Sequence, residues 1–179
     1  MEKKEKKGKI KSYLLALAGT IIAILLDQYT KYLAVLHLKG KTSFVLIDGV
    51  FELQYLENKG AAFGLMQNRQ YIFAIGAVVL ILALIFLYGR FPHTSRFYPL
   101  RVCSVLLCSG AIGNLIDRIR LNYVIDFFYF RWIDFPIFNV ADCYVVVACI
   151  LLILLVLFYY KDEEFNFLDL KIGARKGRK

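Results

Sequence analysis

Histidine and cysteine, which supply most metal and thiol chemistry, are scarce in this chain: two histidines and four cysteines in 179 residues. His37 and His93 stand too far apart to begin a metal cluster. Cys103, Cys108, Cys143 and Cys149 all fall in apolar runs with no CxxC or Cys/His spacing. They read as buried small hydrophobes, neither a disulfide framework nor a metal site. A thiol hydrolase built on Cys143 lacks a suitable histidine. No cysteine follows the small-residue box of a lipidation site, so the chain does not read as a lipoprotein. The first apolar run, residues 13–26, has a basic start like a signal peptide, but no small-x-small site follows and it continues into "DQYTK". It is expected to be an uncleaved span. There is no repeat and no low-complexity core, and no motif calls for a cofactor.

Hydrocarbon is what the chain has in abundance. It is 59% hydrophobic and 16% aromatic, with a mean hydropathy of +0.57, well above the apolar share of soluble domains. The formal net charge of +9 is concentrated at the ends: Lys3, Lys4, Lys6, Lys7, Lys9 and Lys11 before the first apolar run, and Lys171, Arg175, Lys176, Arg178 and Lys179 at the close. Basic tails also suit nucleic acid, but flanking apolar spans they read as topology determinants, and no nucleic-acid partner is expected.

Four segments approach or reach the roughly 20 residues needed to cross a membrane: 13–36, 70–88, 98–119 and 138–160. The expected fold is an all-α membrane protein in one integral domain, residues 1–179, with basic tails 1–12 and 161–179. The link "GRFPHTSR" is basic like the tails, so the positive-inside rule places all three in the cytoplasm. Two longer segments then face outward. "SFVLIDGVFELQYL" carries β-rich runs on either side of Asp48-Gly49, a strong hairpin signal, and predicts a small sheet on the membrane surface. Residues 120–137, with "FFYFRW", are predicted to lie in the interface.

Depth follows from the rise of ~1.5 Å per residue. Asp27 lies ~21 Å along the first span, Asn114 and Asp117 ~24–28 Å along the third, and Asp142 ~6 Å from the outer end of the fourth. Asp27, Lys31, Asn114, Asp117, Arg118, Asn139 and Asp142 therefore share one level near the outer surface. Asp27 and Lys31, four apart, share a helix face and are read as a helix-positioning pair with Lys31 snorkelling outward; a catalytic role is the alternative. In "SGAIGNLIDRI" the glycines let helices approach closely. Asn114 and Arg118 either bond helix ends together or orient a substrate carbonyl or a carboxylate. Asn139 and Asp142 face the same way, and ionisable groups in a span default to function; a structural ion pair of Asp142 with Arg118 is the alternative. Asp126 of "VIDFFYF" is, alone, an ordinary interfacial acid. In "ENKGAAFG", Gly60, Ala61 and Ala62 leave room for another chain whose backbone Asn58 could hold. A transporter or channel would want polar residues through the full depth, and the inner halves of these spans are bare.

In their order around four spans, "DQYTK", "NKGAAF", "GAIGNLIDR", "VIDF" and "FNVAD" resemble the lipoprotein signal peptidase (signal peptidase II) family. The resemblance implies an aspartic endopeptidase of the bacterial inner membrane, with its site toward the outer face, that removes the signal peptide of a prolipoprotein just before its diacylglyceryl-modified cysteine. It implies a catalytic pair at Asp126 and Asp142, substrate positioning by Asn58, Asn114, Arg118 and Asn139, and structural support from Asp27, Lys31, Asp117 and Gly60, with no metal and no cofactor. Membrane lipids and globomycin-type cyclic peptide inhibitors are the further partners it implies. One departure stands at Asn122, where the family has a glycine; asparagine tolerates a left-handed backbone better than most residues. Two close carboxyls that share one proton would hydrolyse a peptide, one accepting a proton from water and the other protonating the carbonyl oxygen.

Overall fold

The computed structural model describes residues 2–60 and 70–168, with side chains from 8 to 60 and from 70 to 167. Ala61, Ala62 and the basic residues from Lys171 onward lie outside the described residues, as do the side chains of Lys3, Lys4, Lys6 and Lys7. Helix α1 is Glu2–Leu38, α2 is Gln70–Arg90, α3 is Tyr98–Leu121 and α4 is Val140–Leu154; strands β1 (Phe44–Ile47) and β2 (Phe51–Asn58) follow α1, and β3 (Val124–Phe130) follows α3. The chain is thus mostly helical, and four helices are long and apolar enough to cross a membrane: Gly8–Leu38, Gln70–Arg90, Ser95–Leu121 and Val140–Tyr159.

These bounds differ from the expected ones at both ends. Helix α1 runs back to Glu2 through the segment expected to be a tail, because lysine is a good helix former and nothing there breaks the ladder. The fourth span begins at Val140, with Asn139 as its N-cap, and ends in a π-helical turn at Leu155–Tyr159. There the Tyr160 N–H donates to Leu155 O over 2.9 Å.

Small residues bring the helices together. Gly110 and Gly113 of α3 are buried, as are Ala141 and Ala148 of α4. A Cβ on Gly110 would stand 2.5 Å from Ala141 O, and one on Gly113 would stand 2.6 Å from Asp27 Oδ2. Glycine is therefore required at both places for α3 to lie against α4 and α1, which is the close-approach role of small residues in membrane helices. The remaining faces carry exposed Leu, Ile, Val and Phe, a surface suited to lipid. The cysteines are less uniform than expected. Cys103 is buried, Cys108 and Cys143 are partly covered, and Cys149 is exposed on the outside of the bundle.

At the end away from the sheet, Tyr88, Phe91, Phe97, Leu100, Leu155 and Tyr160 form a buried cluster. Arg101 is buried beside it and donates to Phe91 O at 2.8 Å and Ser12 Oγ at 3.2 Å. The link between α2 and α3 is pinned to the bundle in this way.

At the other end lies an antiparallel sheet in the order β1-β2-β3. The predicted hairpin is present: the Val50 N–H donates to Ile47 O at 3.0 Å, and Gly49 takes φ +66°, a conformation glycine adopts without cost. The segment 120–137 was expected only to lie in the interface; it contributes the third strand. Asn122, which caps α3 with φ 61° and ψ 19°, is in the left-handed region and turns the chain from α3 into that strand. Ala34 and Leu38 of α1 pack against Ile125 and Phe127 of β3, so the sheet is seated on the last turns of the first span.

Candidate active site

Strand β3 delivers Asp126 to the polar level of the spans. Asn58 of β2 is the register partner of Val124, so its side chain shares a face with Val124 and, two residues along, with Asp126. The pairing slips by one residue between Leu53 and Leu56. This bulge places Leu56, not Tyr55, opposite Asp126, and so sets Asn58 within reach of the acid. The Asn58 amide N–H donates to Asp126 Oδ2 at 2.8 Å. Its own oxygen accepts the Gly60 N–H at 3.0 Å, so the amide has one workable orientation.

Asp142 is delivered by a helix start. Asn139 and Asp142 form a capping box: the Asp142 N–H donates to Asn139 Oδ1 at 3.0 Å, and the Asn139 N–H donates to Asp142 Oδ2 at 3.1 Å. Such a box satisfies two otherwise orphaned N–H groups and fixes both side chains. Held so, the Asn139 amide N–H donates to Asp126 Oδ1 at 2.6 Å and to Asn114 Oδ1 at 3.1 Å. The Asn114 amide N–H in turn donates to Asp142 Oδ1 at 2.8 Å. Each of the four carboxyl oxygens of Asp126 and Asp142 thus accepts an N–H from the protein.

Lys31 stands behind this arrangement. It was expected to snorkel, yet it is 1% exposed. Its Nζ lies 3.0 Å from Asp27 Oδ2, 2.9 Å from Asp117 Oδ2 and 2.9 Å from Asn114 Oδ1. An ammonium can only donate, so Lys31 forces the oxygen of Asn114 toward itself and the N–H groups toward Asp142. The ammonium stays inside because two buried carboxylates and an amide oxygen replace its water, which a position at the surface would not improve. Asp27 also accepts the Ala141 N–H at 2.9 Å, and Asp117 accepts the Ile125 N–H at 3.1 Å. These two acids therefore tie α4 and β3, the elements that carry the pair, to α1 and α3.

Gln28 was not singled out in the sequence. It donates to Asp27 Oδ2 at 3.2 Å, Asp117 Oδ1 at 3.0 Å and Gly113 O at 3.2 Å. Its signal was available, since a polar side chain at the depth of Asp27 meets the same criterion that picked out Asp27 itself. Arg118, conversely, forms no ion pair among the described residues. Its Nη1 donates to Asn114 O at 3.4 Å, its Nε is buried without a partner among those residues, and its guanidinium lies 5.3 Å over the Phe73 ring. The alternative of a structural Arg118–Asp142 ion pair is set aside, and Arg118 keeps donors for something else.

A cavity of about 610 Å³ opens beside the pair, lined by Asp126, Asp142, Asn114, Arg118 and Asn58 on the polar side. Its other walls are apolar: residues 135–138 after the sheet, and Cys143, Val146 and Val147 along α4. Val146 and Val147 are about half exposed, so the cavity opens sideways to the lipid-facing surface. Asp126 lies outside the spans, and burial, followed by the charge of Asp142, raises its carboxyl to about 7. An acid held near neutrality in a cleft is a functional-site signature.

Polar groups held at one depth between apolar helices, next to an opening in the wall, define a polytopic membrane protein with a polar cavity at one end of its bundle. Its kinship is specific. Residues 19–158 match the family model for signal peptidase (SPase) II. A lipoprotein signal peptidase of Caldanaerobacter subterraneus is 42% identical over 139 residues, covering 76% of this chain and 92% of the relative. One from Clostridioides difficile is 44% identical over 131 residues, covering 73% and 86%. Among solved structures, a bacterial membrane enzyme determined by the in meso method at 1.9 Å superposes with a TM-score of 0.69 at 28% identity, over 82% of this chain and 94% of that one. The chain belongs to the signal peptidase II family, whose members are membrane proteases that process lipoproteins.

Proposed function

We propose that this chain is an aspartic endopeptidase in which Asp126 and Asp142 jointly activate water to cut the signal peptide from a diacylglyceryl-modified prolipoprotein, just before the lipidated cysteine. The observation that carries the reading is the double use of Asn139, whose backbone N–H is bound to Asp142 while its amide is bound to Asp126. One residue thereby holds both carboxyls in register. The raised carboxyl of Asp126 supports a pair that keeps one proton near neutral pH, because two adjacent carboxyls do not readily ionise together.

In the reaction, the ionised carboxylate takes a proton from water as its oxygen bonds to the scissile carbonyl carbon. The protonated carboxyl gives its proton to the carbonyl oxygen, forming a tetrahedral diol. The diol then collapses: the C–N bond breaks, a carboxyl protonates the leaving nitrogen, and the second hydroxyl returns its proton to the pair. Arg118, with donors to spare, and the amide of Asn58 would hold the substrate backbone across the cavity. Its lateral opening past Val146 and Val147 would admit acyl chains from the bilayer.

The chain forms one integral domain in the bacterial cytoplasmic membrane, with both termini inside and the site toward the outer face, as the basic ends and the basic "GRFPHTSR" link favour. The test measures initial cleavage rates in one bilayer on the diacylglyceryl and unmodified forms of one precursor, with wild type, Asp126→Asn and Asp142→Asn. Cleavage of the lipidated form by wild type alone is expected. Near-wild-type turnover by either variant would remove that acid from the pair, and equal rates on the two forms would show that lipid is not read.

A further inference from the structure

A second cavity, of about 700 Å³, lies between α1 and the sheet and shares no lining residue with the first. Its floor is the last two turns of α1, from Thr30 to Leu38, and its roof is Phe127 and Phe128 of β3. Thr30 and Leu38 are ~12 Å apart along the helix, so the groove begins at the level of Lys31 and runs outward to the end of the span. The lower part is apolar, at Leu33 and Ala34, whereas His37 and Lys41 line the end nearest the interface.

Charge at that end is unbalanced. Lys39 is matched by Glu57 at 2.8 Å, and Arg131 by Glu52 at 2.6 Å. No carboxylate lies within ion-pair distance of exposed Lys41 among the described residues. Glu52, next to the lining residue Leu53, is already held by Arg131 and by the Ser43 hydroxyl. The groove is thus cationic at its outer end, at Lys41, and apolar below it, at Leu33 and Ala34.

We infer that this groove is a binding site for one anionic phospholipid of the leaflet that carries the reaction site, with its phosphate at Lys41 and His37 and an acyl chain against Leu33 and Ala34. The charge complementarity selects a phosphodiester without a compensating ammonium over a zwitterionic headgroup. The inference does not depend on the proposed proteolysis, and its test has no activity readout.

Native mass spectrometry of the full chain, released from nanodiscs of equal phosphatidylglycerol and phosphatidylcholine with matched acyl chains, counts the retained lipid of each kind. Phosphatidylglycerol should exceed phosphatidylcholine about fivefold, the ratio that ~1 kcal/mol per basic residue near a lipid surface corresponds to. Lys41→Gln should bring the ratio to about one and Lys41→Arg should preserve it. Leu33→Trp, which fills the apolar part, should lower retention of both lipids; if that variant does not insert, the Lys41 pair decides alone. Equal retention by wild type, or an unchanged preference in Lys41→Gln, overturns the inference. A dimer peak that Lys41→Gln abolishes also overturns it, by assigning the face to a second copy of the chain.

Discussion

Replacing Lys31 with methionine is the sharpest test of how the site is held, because the expected effects on stability and on rate have separate causes. Methionine keeps most of the volume and removes the ammonium. Asp27 and Asp117, both nearly fully buried, then face each other without the cation that lies 3.0 and 2.9 Å from them. Breaking a buried pair by deleting one partner costs about 3–5 kcal/mol. Asp27→Asn leaves Lys31 paired with Asp117 and still offers an acceptor to the Ala141 N–H, so it should cost distinctly less. The effect on rate comes through Asn114, whose amide oxygen loses the stronger, charged one of its two donors and keeps only the Asn139 N–H to oppose a flip. A hydrogen bond to a charged group contributes about 1.5–3 kcal/mol, which at ~1.4 kcal/mol per decade lowers turnover about ten- to 150-fold. Thermal unfolding in detergent by circular dichroism reads the first effect. The kcat and KM on a lipidated precursor read the second, at a temperature where the variant is folded. A Lys31→Met protein with wild-type stability and wild-type kcat would refute the claim that this ammonium orders the site.

The raised carboxyl of Asp126, at about 7, lies above its unfolded value of ~3.9, so the folded protein binds the extra proton. The stabilisation that this proton confers is complete below the unfolded value and lost as pH rises through about 7. Melting temperature should accordingly fall between pH 5 and pH 8, and less steeply in Asp126→Asn, while cleavage by wild type should decline above about pH 7. Gly110→Ala places a methyl against the Ala141 carbonyl at 2.5 Å. It should cost about 1–3 kcal/mol by forcing α3 from α4, whereas Gly76→Ala, in mid-helix with nothing within 4 Å, should unfold at or slightly above the wild-type temperature. Cys143→Ala should retain turnover, since the thiol lines an apolar wall; loss of activity in a folded variant would point to a thiol mechanism. A cysteine at Gly49, in the hairpin turn, should react with an impermeant maleimide added outside spheroplasts, and labelling from the cytoplasmic side alone would invert the topology.

Much of this protein is local information. Four runs of hydrocarbon long enough to cross a bilayer are legible because spanning helices satisfy their backbone internally, so length and composition suffice. The shared depth of Asp27, Asn114, Asp117 and Asp142 follows from counting residues along those helices. The hairpin at Asp48-Gly49 is legible because the turn needs a positive φ that glycine supplies. The Asn139–Asp142 box has a spacing of three, a helix-start pattern readable in any chain. Residue types and order were also enough to reveal the family.

Tertiary structure decided the rest, and it did so where the determining contacts are far apart in sequence. Strand β3 is hidden because Val124 to Phe127 are all buried, and a strand covered on both faces loses the alternation by which strands are read. The register of Asp126 depends on a bulge in β2, some 70 residues earlier by its partners Asn58 and Asp126. Lys31 reads as a snorkelling lysine when its helix is considered alone. It is drawn inward only once α3 brings Asp117 and Asn114 to it, because an ammonium will leave water only where carboxylates are already waiting. The approach of α4 likewise depends on missing side chains at Gly110 and Gly113, whose value cannot be seen until Ala141 and Asp27 occupy the space.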